Sequence, residues 1–514
     1  MTLFNKINIM APTYGRSATK LPAFINTALE TCKDPANLIW TFCVNKKDLE
    51  TINFLQKRLQ GHVLNLVYEE LDKPHLAKYF NMMYDSTVDL GDSVLVSMFG
   101  DDFKFRTHGW DAELLFQANL YRGIGIFHGD DCYCQHDGIP VWFVTSRKFV
   151  EAIKPFPFMC EGFPCDGIDV IWQKISEAFG RRFYFDNIKI EHDHNTRQLP
   201  KNRDATYNRL RTQEAETQEF VKHQDEYAEK CVELMRENLK DELFPNIDVI
   251  MTTYDRVELL ERLVVSYNLA KGAPKSFHIF DDISTELDTV KRQCLSMQGN
   301  PVFHEGTIKY GCIGKTPAVL REMFEKNGSE WVLIIDSDTW FYKYWWARVC
   351  ATFNYLKDEK DFGCVSFINM KSYMMEPRVD LPGIIEKPAV GGFGTLVNKE
   401  FWSKYIAPYE KDRSDGWDNI MCTKARQDGL RIYSTTPSVL QHLGYNRGTH
   451  IDGVYNNPSY AYDFAGEIPI NLDHTRNKGS FIDKSVLWCL CARSGDIIQG
   501  SMLANQLLSK GCKL

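Results

Sequence analysis

The stretch WVLIIDSDTW, residues 331–340, decides the fold of the second half of the chain. Its apolar run predicts a buried strand, and that strand ends on the carboxylates of Asp336 and Asp338. In the first half, VLVSMFGDDF at residues 94–103 has the same plan and also ends in two aspartates. Ligands of open α/β sheets bind beyond the carboxyl ends of parallel strands. Both stretches therefore predict a polar site at the end of a buried strand.

Three further pairs of segments match between the two halves. In order along the chain, they are INIMAPTYGR (7–16) and IDVIMTTYDR (247–256), CDGIDVIW (165–172) and SDGWDNIM (414–421), and IEHDH (190–194) and LQHLG (440–444). The repeat distance, about 240 residues, is far longer than the unit of a solenoid. We therefore predict two tandem copies of one fold, in residues 1–203 and 246–475.

Strand and helix patterns alternate in both halves, which predicts the α/β class with mostly parallel sheets in two Rossmann-like domains. Residues 204–245 contain no glycine, and their apolar residues recur at helical spacing, so we predict a helical linker of one or two helices. The tail, residues 476–514, has an apolar strand pattern, a glycine turn and a helix pattern. This tail predicts either the start of a further Rossmann-like domain or a docking helix.

The composition narrows the class of protein. The 514 residues carry a net charge of −8, which argues against a broad electrostatic contact with nucleic acid. No apolar stretch is long enough for a transmembrane helix, and the first residues lack the apolar core of a secretory signal. The 15 cysteines show neither a disulfide framework nor zinc-site spacing. We therefore expect reduced thiols and a cytoplasmic location.

The paired carboxylates predict a metal site. Two carboxylates at one strand end repel each other unless a positive charge lies between them. Oxygen ligands select Mg²⁺ or Mn²⁺, and a histidine ligand favours Mn²⁺. His442 in the second half, and His192 and His194 in the first, follow predicted strands and are candidates for that ligand. The alternative is a pair of solvated loop acids.

The order of the segments resembles that of nucleotide-sugar glycosyltransferases of the GT-A fold, in particular the family 2-like group. In the second half the resemblance is carried by TTYDR (252–256), FDD (280–282), IGKTPAVLREMF (313–324), IIDSD (334–338), GGFG (391–394), DGWD (415–418) and QHLG (441–444). It implies two tandem GT-A domains that bind nucleotide-sugar donors and Mn²⁺ or Mg²⁺. The tail is similar to the opening unit of a GT-B glycosyltransferase.

The resemblance also implies roles for individual residues. The donor-binding residues would be Thr13, Tyr14, Asp101, Thr252, Thr253, Tyr254, Asp281, Asp282, Lys315, Asp336 and Gly392. The metal ligands would be Asp102, His192, His194, Asp338 and His442. The first half departs from the pattern at Gly100, which stands in the place of Asp336, and at Asn45, which stands where an acid is expected.

If the transfer inverts the sugar, the acceptor hydroxyl needs a general base, and the resemblance of the DGWD segment and its counterpart implies one; retaining enzymes of this fold share the same metal scaffold. Such a base is worth about 10²- to 10⁴-fold in rate. In the second half we predict Asp418 as the base and Asp415 as the next candidate, and in the first half Asp169 and Asp166. The alternative role is helix N-capping, for which aspartate is favoured.

These features favour a bifunctional, metal-dependent glycosyltransferase, a hexosyl- or pentosyltransferase of class EC 2.4. UDP-sugar donors are favoured over GDP-sugars, and the acceptor would be a hydroxyl of a growing glycan or glycoprotein. One alternative is glycosylation of modified bases in DNA. Another is a non-catalytic carbohydrate-binding scaffold on a decayed transferase fold. A nucleotidyltransferase is disfavoured because neither APTYGR nor TTYDR is a glycine-rich phosphate loop.

Overall fold

The computed structural model describes residues 3–70, 75–133, 136–162, 167–193, 218–370, 380–410, 416–443, 461 and 463–466. The predicted site residues Asp166, His194 and Asp415 lie outside the described residues, as does the predicted tail at 476–514. The domain boundaries inferred from the repeat stay a prediction.

The first α/β unit precedes residue 194. Its strands are β1 (Lys6–Thr13), β2 (Leu38–Asn45), β3 (Val63–Glu69), β4 (Val94–Met98), β5 (Phe103–Phe105), β6 (Ile126–Asp130), β7 (Phe143–Ser146) and β8 (Arg182–His192). Its helices are α1 (Lys20–Thr31), α2 (Leu49–Arg58), α3 (Leu76–Asp85), α4 (Trp110–Leu120), α5 (Arg147–Glu151) and α6 (Ile168–Glu177).

Two helices, α7 (Gln218–Asn238) and α8 (Lys240–Leu243), lead to the second α/β unit. Its strands are β9 (Asp248–Thr253), β10 (Ser276–Asp281), β11 (Val302–His304), β12 (Trp331–Asp336), β13 (Thr339–Phe341), β14 (Phe362–Ser366), β15 (Ile384–Lys387), β16 (Thr395–Asn398), β17 (Arg431–Thr435) and β18 (Leu440–His442). Its helices are α9 (Val257–Leu269), α10 (Leu287–Leu295), α11 (Gly311–Arg321), α12 (Trp345–Leu356), α13 (Lys399–Tyr405) and α14 (Trp417–Gln427). No helix within the described ranges has both the length and the apolar character that crossing a membrane requires.

Each unit is built on an eight-stranded mixed sheet. The strand order is β3-β2-β1-β4-β7-β6-β8-β5 in the first and β11-β10-β9-β12-β16-β14-β17-β15 in the second. The first four strands of each order run parallel, and β7 and β16 run antiparallel to their neighbours. The predicted α/β class with two mostly parallel sheets is therefore confirmed.

The central strands are apolar on both faces because helices cover both faces of each sheet. Successive strand residues point to opposite faces, so Ile9 and Met10 of β1 pack into different core clusters. In β9, Ile250 and Met251 do the same. The strands therefore read as continuous apolar runs, and the polar residues that follow them are brought to one edge of the sheet.

The helix α7 packs on the first unit. Its buried side chains, Gln224, Ala228, Cys231 and Met235, recur at helical spacing along one face. Three of them belong to the same core cluster as α6. Leu234 of the same helix is half-buried, whereas its neighbour Met235 is fully buried.

A buried arginine connects the two units. Arg348 of α12 donates hydrogen bonds to the carbonyl of Leu120, at 2.6 Å, and to that of Gly383, at 2.5 Å. Nearby, the Tyr344 hydroxyl accepts a 2.8 Å hydrogen bond from the backbone N–H of Tyr184. Burial lowers the pKa of Arg348 to about 10, so it remains charged at neutral pH. Polar contacts therefore fix this part of the interface.

Candidate functional site

The carboxylates of the second unit lie where β12 leaves the sheet. Asp336 is the last residue of β12, and the chain then turns so that β13 pairs with β18. Thr339 stands opposite His442 in this antiparallel pair, and Leu443 donates a 2.8 Å backbone hydrogen bond to the carbonyl of Asp338. Backbone pairing thus brings His442 to both carboxylates.

Asp336, Asp338 and His442 form a group that fits a metal ion. One ligand atom from each lies within 4.8 Å of the others. His442 Nε2 is 3.1 Å from Asp338 Oδ1, yet no described donor makes a hydrogen bond to this buried oxygen. Arg256 forms an ion pair with the other oxygen, Oδ2. A divalent cation between the two carboxylates would offset their mutual repulsion and bind this buried oxygen.

The electrostatics of this group also favour added positive charge. Burial, and then the charge of Asp338, raise the pKa of Asp336 to about 6. Burial opposes the ionisation of Asp338, but His442 outweighs it and the pKa of Asp338 is lowered. Burial likewise opposes the protonation of His442, but Asp338 raises the pKa of His442 above its usual value. A bound cation would favour the charged form of both carboxyls.

Asp418 approaches the group from the first turn of helix α14. Its Oδ2 accepts a 3.2 Å hydrogen bond from the backbone N–H of Gly392 in the GGFG loop. Its charge contributes to the raised pKa of Asp336, after burial and Asp338. The N-cap of α14 is Gly416, so Asp418 does not hold the capping position. Its carboxylate is therefore directed toward the loop.

Gly392 is required where it stands. A Cβ atom at this position would lie 2.4 Å from Cζ2 of Trp417, far inside van der Waals contact. The ring of Phe393, the next residue, lies 4.6 Å from the ring of His442. The GGFG loop thus lies between the start of α14 and His442.

The predicted donor residues after β10 form one hydrogen-bonded network. Asp281 accepts hydrogen bonds from the backbone N–H and the hydroxyl of Ser284, at 2.8 and 2.5 Å. Asp282 accepts 2.9 and 2.8 Å hydrogen bonds from the N–H groups of residues 310–311, where α11 begins. Lys315 Nζ donates to the carbonyl of Asp281 at 2.7 Å and lies 3.8 Å from Asp282 Oδ1. Both acids are buried within these contacts.

The residues at the end of β9 lie on both sides of the strand. Thr252 stands beside Asp336 in the parallel β9–β12 pair. Thr253 is buried, and its hydroxyl has no hydrogen-bond partner in the part of the chain that the structure describes. Tyr254 accepts a 2.7 Å hydrogen bond from Lys309 Nζ, which lies 4.0 Å from the centre of its ring.

In the first unit, Asp101 is held by side chains from the end of β1. Thr13 Oγ1 donates a 2.6 Å hydrogen bond to Asp101 Oδ2, and Arg16 forms an ion pair with Oδ1. Burial raises the pKa of Asp101 to about 6, and Arg16 opposes that rise. Tyr14, the neighbour of Thr13, is 48% exposed. Asp101 is therefore paired within the protein.

Asp102 and His192 also lie together in the first unit. His192 Nε2 is 3.6 Å from Asp102 Oδ1, and its ring stacks on Phe103 at 4.5 Å. A Cβ atom on Gly100 would lie 2.6 Å from Asp102 Oδ1. The Asp102 carboxylate thus occupies the space that a side chain at position 100, the counterpart of Asp336, would need.

Asp169 has the same helix position in the first unit as Asp418 in the second. Helices α6 and α14 both begin after glycines with positive φ, Gly167 at 80° and Gly416 at 68°. Asp169 Oδ1 accepts a 2.9 Å hydrogen bond from the N–H of Val170. The two aspartates therefore share a backbone setting.

Sequence reasoning missed two arginines and one cluster. Arg16 and Arg256 end the matched segments PTYGR and TTYDR, and that shared position was a signal for a common role. Asp130 ends β6, Asp131 and His136 follow it, and one ligand atom of each also lies within 4.8 Å of the others. His136 Nδ1 is 2.8 Å from Asp130 Oδ1. The dense HGDDCYCQHD segment was the available signal.

No protein-family model and no curated protein sequence matches the chain. Among solved structures, S. aureus TarS 1–349 in complex with UDP is similar, with a TM-score of 0.29, 19% identity, and coverage of 38% of this chain and 59% of that one. The mannosyltransferase PcManGT from Pyrobaculum calidifontis, in complex with GDP-Man and Mn²⁺, has a TM-score of 0.28, 18% identity, and coverage of 38% and 56%. The match thus spans less than two thirds of either structure.

Proposed function

We propose that the second α/β unit is a metal-dependent glycosyltransferase that transfers a sugar from a nucleotide-sugar donor to a hydroxyl of a glycan or glycoprotein. One observation carries the proposal: ligand atoms of Asp336, Asp338 and His442 gather within 4.8 Å of one another at the carboxyl end of a parallel strand. Ligands of α/β sheets bind at this edge. UDP-sugars are the favoured donors, and GDP-sugars are the next class to test.

The three side chains suggest how the negative charge of the leaving diphosphate would be stabilised. A cation bound by Asp336, Asp338 and His442 would supply positive charge where the diphosphate develops negative charge. Arg256 pairs with Asp338 Oδ2 and so holds that carboxylate in position. Lys315 is 7% exposed, and Asp281 and Asp282 hold its ammonium group near the start of α11.

The proposed base is Asp418. A carboxylate within hydrogen-bond reach of the acceptor hydroxyl would take its proton as the new glycosidic bond forms. The N–H of Gly392 donates to Oδ2 of this carboxylate, and the N–H of Asn419 donates to its Oδ1 at 3.1 Å, so both contacts fix its orientation. The glycine at position 392 keeps the loop close, because any side chain there would meet Trp417.

Donor hydrolysis tests the proposal. The protein would be incubated with UDP-, GDP- and dTDP-sugars and Mn²⁺, and the released nucleotide would be measured. We expect turnover of at least one donor, its loss in Asp338→Ala, and its retention in Asp358→Ala, a change at an exposed aspartate of the same unit. If no donor is hydrolysed or bound with any cation, the transferase assignment fails and a carbohydrate-binding scaffold takes its place.

The bifunctional form of the proposal concerns the first unit. Asp102→Ala would silence a second donor if that unit also transfers a sugar. If Asp102→Ala still hydrolyses every donor that wild type hydrolyses, and Asp338→Ala hydrolyses none of them, transfer belongs to the second unit alone.

A further inference from the structure

The strand that carries His442 lies outside the eight-stranded sheet of the second unit. β18 pairs with β13, and these two strands form a separate two-stranded sheet. In the first unit the corresponding histidine, His192, ends β8, an 11-residue strand of the eight-stranded sheet. An isolated pair of strands is marginally stable at best. The position of His442 therefore depends on contacts beyond its own strand pair.

The ring of His442 lacks the outer hydrogen bond that is usual for a metal-binding histidine. Such histidines almost always donate their second ring N–H to a carboxylate, a carbonyl or a water. Nδ1 of His442 is buried, and no described residue makes a hydrogen bond to it. The orientation of the imidazole thus depends on how the backbone of residue 442 is held and on the neighbouring ring of Phe393.

The side chain of Gln441 holds that backbone. Its Oε1 accepts a 3.0 Å hydrogen bond from the N–H of His442 and a 2.7 Å hydrogen bond from the N–H of Ala461. Its Nε2 donates a 2.9 Å hydrogen bond to the carbonyl of Ala461. Gln441 and Ala461 are each 3% exposed. One buried amide thus joins the histidine to both backbone polar groups of a residue far along the chain.

Ala461 belongs to a short segment, residues 461 and 463–466, which we call the returning segment. Met370, which follows β14, forms an antiparallel bridge with Ala461, and Lys387 Nζ donates a 2.7 Å hydrogen bond to the carbonyl of Met370. Phe464 packs against the core cluster that contains Leu440 of β18. The returning segment therefore contacts β18 and the core of the second unit together.

Asp463 anchors the returning segment to the chain that leads into β18. Its Oδ1 accepts hydrogen bonds from the hydroxyl and the N–H of Ser438, at 2.5 and 3.2 Å. Its Oδ2 accepts hydrogen bonds from Thr436 Oγ1 at 2.7 Å and from Asn369 Nδ2 at 2.9 Å. The N–H of Ala465 donates a 2.8 Å hydrogen bond to the carbonyl of Ser438. These contacts hold the approach to His442 without using the proposed metal ligands.

We propose that the returning segment is part of the metal site and that Gln441 is the positioning residue that couples the two, so that docking of this segment and binding of a divalent cation strengthen each other. The inference rests on the proposed function, which supplies the cation. Coupling of two binding events is reciprocal, and here both depend on the same position of β18. If Gln441 served the fold alone, its loss would lower stability without this coupling.

Exchange of backbone amides tests the coupling in the unaltered protein. Hydrogen–deuterium exchange of the full chain would be followed by mass spectrometry with and without saturating Mn²⁺. We expect Mn²⁺ to slow exchange in peptides that contain Ala461 and Ala465, whose N–H groups are hydrogen-bonded in the docked segment, and to leave α2 of the first unit unchanged. If Mn²⁺ binds and exchange of the returning segment does not change, the inference is overturned and the proposed function stands. If wild type binds no Mn²⁺, the metal dependence of the proposed function fails, and the inference fails with it.

Substitution of Gln441 separates positioning from folding. Gln441→Ala should weaken Mn²⁺ binding by roughly 10- to 100-fold, the usual loss for an outer partner of a metal site. Mg²⁺ binding should change less, because the disturbed ligand is a nitrogen and Mg²⁺ prefers oxygen ligands. Gln427→Ala, at an exposed glutamine of the same unit, should leave both affinities unchanged. Unchanged Mn²⁺ affinity in Gln441→Ala, or equal losses for the two cations, would overturn the positioning role.

A variant away from the metal ligands gives an independent check. Asp463→Ala removes the anchor on Thr436 and Ser438, so we expect severalfold weaker Mn²⁺ binding and a weaker nitrogen coupling of the histidine to bound Mn²⁺ in pulsed electron paramagnetic resonance spectra. Asp358→Ala, at an exposed aspartate, is the control. If Asp463→Ala matches wild type in affinity and in nitrogen coupling, the returning segment is not coupled to the cation and the proposal fails.

Discussion

His442 Nε2 lies 3.1 Å from Oδ1 of the fully buried Asp338, although the two residues belong to different strands of a small antiparallel pair. In the first unit, His192 and Asp102 repeat the arrangement at 3.6 Å. The shared backbone plan places a histidine beside an aspartate in both units. The side chains around the two pairs differ, with Asp336 near His442 and Asp338, and Gly100 at the corresponding position in the first unit.

Replacement of His442 by asparagine should weaken Mn²⁺ binding by at least the roughly 10- to 100-fold that loss of an outer partner of a metal site costs. Mg²⁺ binding should change less, because Mg²⁺ prefers oxygen ligands. Calorimetric titration with each cation measures the difference, and His108→Asn, at an exposed histidine, is the control. Equal losses for both cations would argue against a nitrogen ligand at this position.

Asp418→Asn should lower kcat for donor hydrolysis by roughly 10²- to 10⁴-fold, because the amide cannot take the proton of the attacking hydroxyl or water. KM should change little, since the amide can still accept the hydrogen bond from Gly392. Asp288→Asn is a matched control, because Asp288 also lies in the first turn of a helix but is exposed. A rise in KM with unchanged kcat would assign Asp418 to binding.

Gly392→Ala should destabilise the loop by about 1–3 kcal/mol, because the new methyl group would overlap Trp417. The double variant Gly392→Ala, Trp417→Leu should recover part of that loss, since the smaller side chain makes room. Urea unfolding of wild type, Gly392→Ala, Trp417→Leu and the double variant gives the coupling energy between the two positions. Gly162→Ala, where the nearest side-chain atom is Cys160 Sγ at 3.7 Å, should be nearly neutral. Additive effects in the double variant would show that the ring is not the obstacle.

Arg348→Met should reduce the free energy of unfolding by about 3 kcal/mol. The change removes a buried charge, but it also removes the arginine donor of the Leu120 carbonyl at the contact between the units. The Gly383 carbonyl loses one of its two donors and keeps the N–H of Thr436. Arg348→Lys should not restore stability, because a single ammonium group cannot reproduce the fork of the guanidinium. Arg292→Met, at an exposed arginine, serves as the control. If urea unfolding gives Arg348→Met the same free energy of unfolding as wild type, other contacts hold the units together.

His128 should make the first unit sensitive to acid. Burial, and then Arg182, lower its pKa from 6.5 to about 3. Because the folded state disfavours the protonated ring, the stabilisation is complete above pH 6.5 and is lost as the pH falls toward 3. The loss is about 2 kcal/mol at pH 5. His128→Phe should flatten the stability profile between pH 7 and 5, whereas His108→Phe should not; an unchanged slope in His128→Phe would assign the acid sensitivity to other groups.

Much of the fold was readable from short segments. The apolar run before Asp336 and Asp338 predicted a buried strand, and the two carboxylates do follow the strand β12. Each strand or helix must bury one side, so its apolar residues recur at regular spacing, and this spacing can be read in the sequence. The matched halves predicted two sheets, and the strand orders of the two sheets agree except at the last strand. In the first sheet this strand is β5, which follows β4 in the chain, and in the second it is β15, which follows β14.

The site was less predictable, because its contacts join residues far apart in the chain. Arg256 meets Asp338 across 82 positions, and apart from its match with Arg16 in the repeat no pattern in the sequence ranks this arginine above others. Gly392 is needed because of Trp417, and that clash exists only when the loop and helix α14 are packed together.

By itself, then, the sequence determined which residues begin and end the buried strands, because burial and backbone pairing impose short-range periodic rules. Tertiary structure alone decided the charge balance at each strand end. It paired Asp193 with Lys20 and Lys104 in the first unit and left Asp338 Oδ1 without a hydrogen bond from any described residue in the second. Electrostatic interactions act through space, so the partners that set them become visible only when distant segments meet.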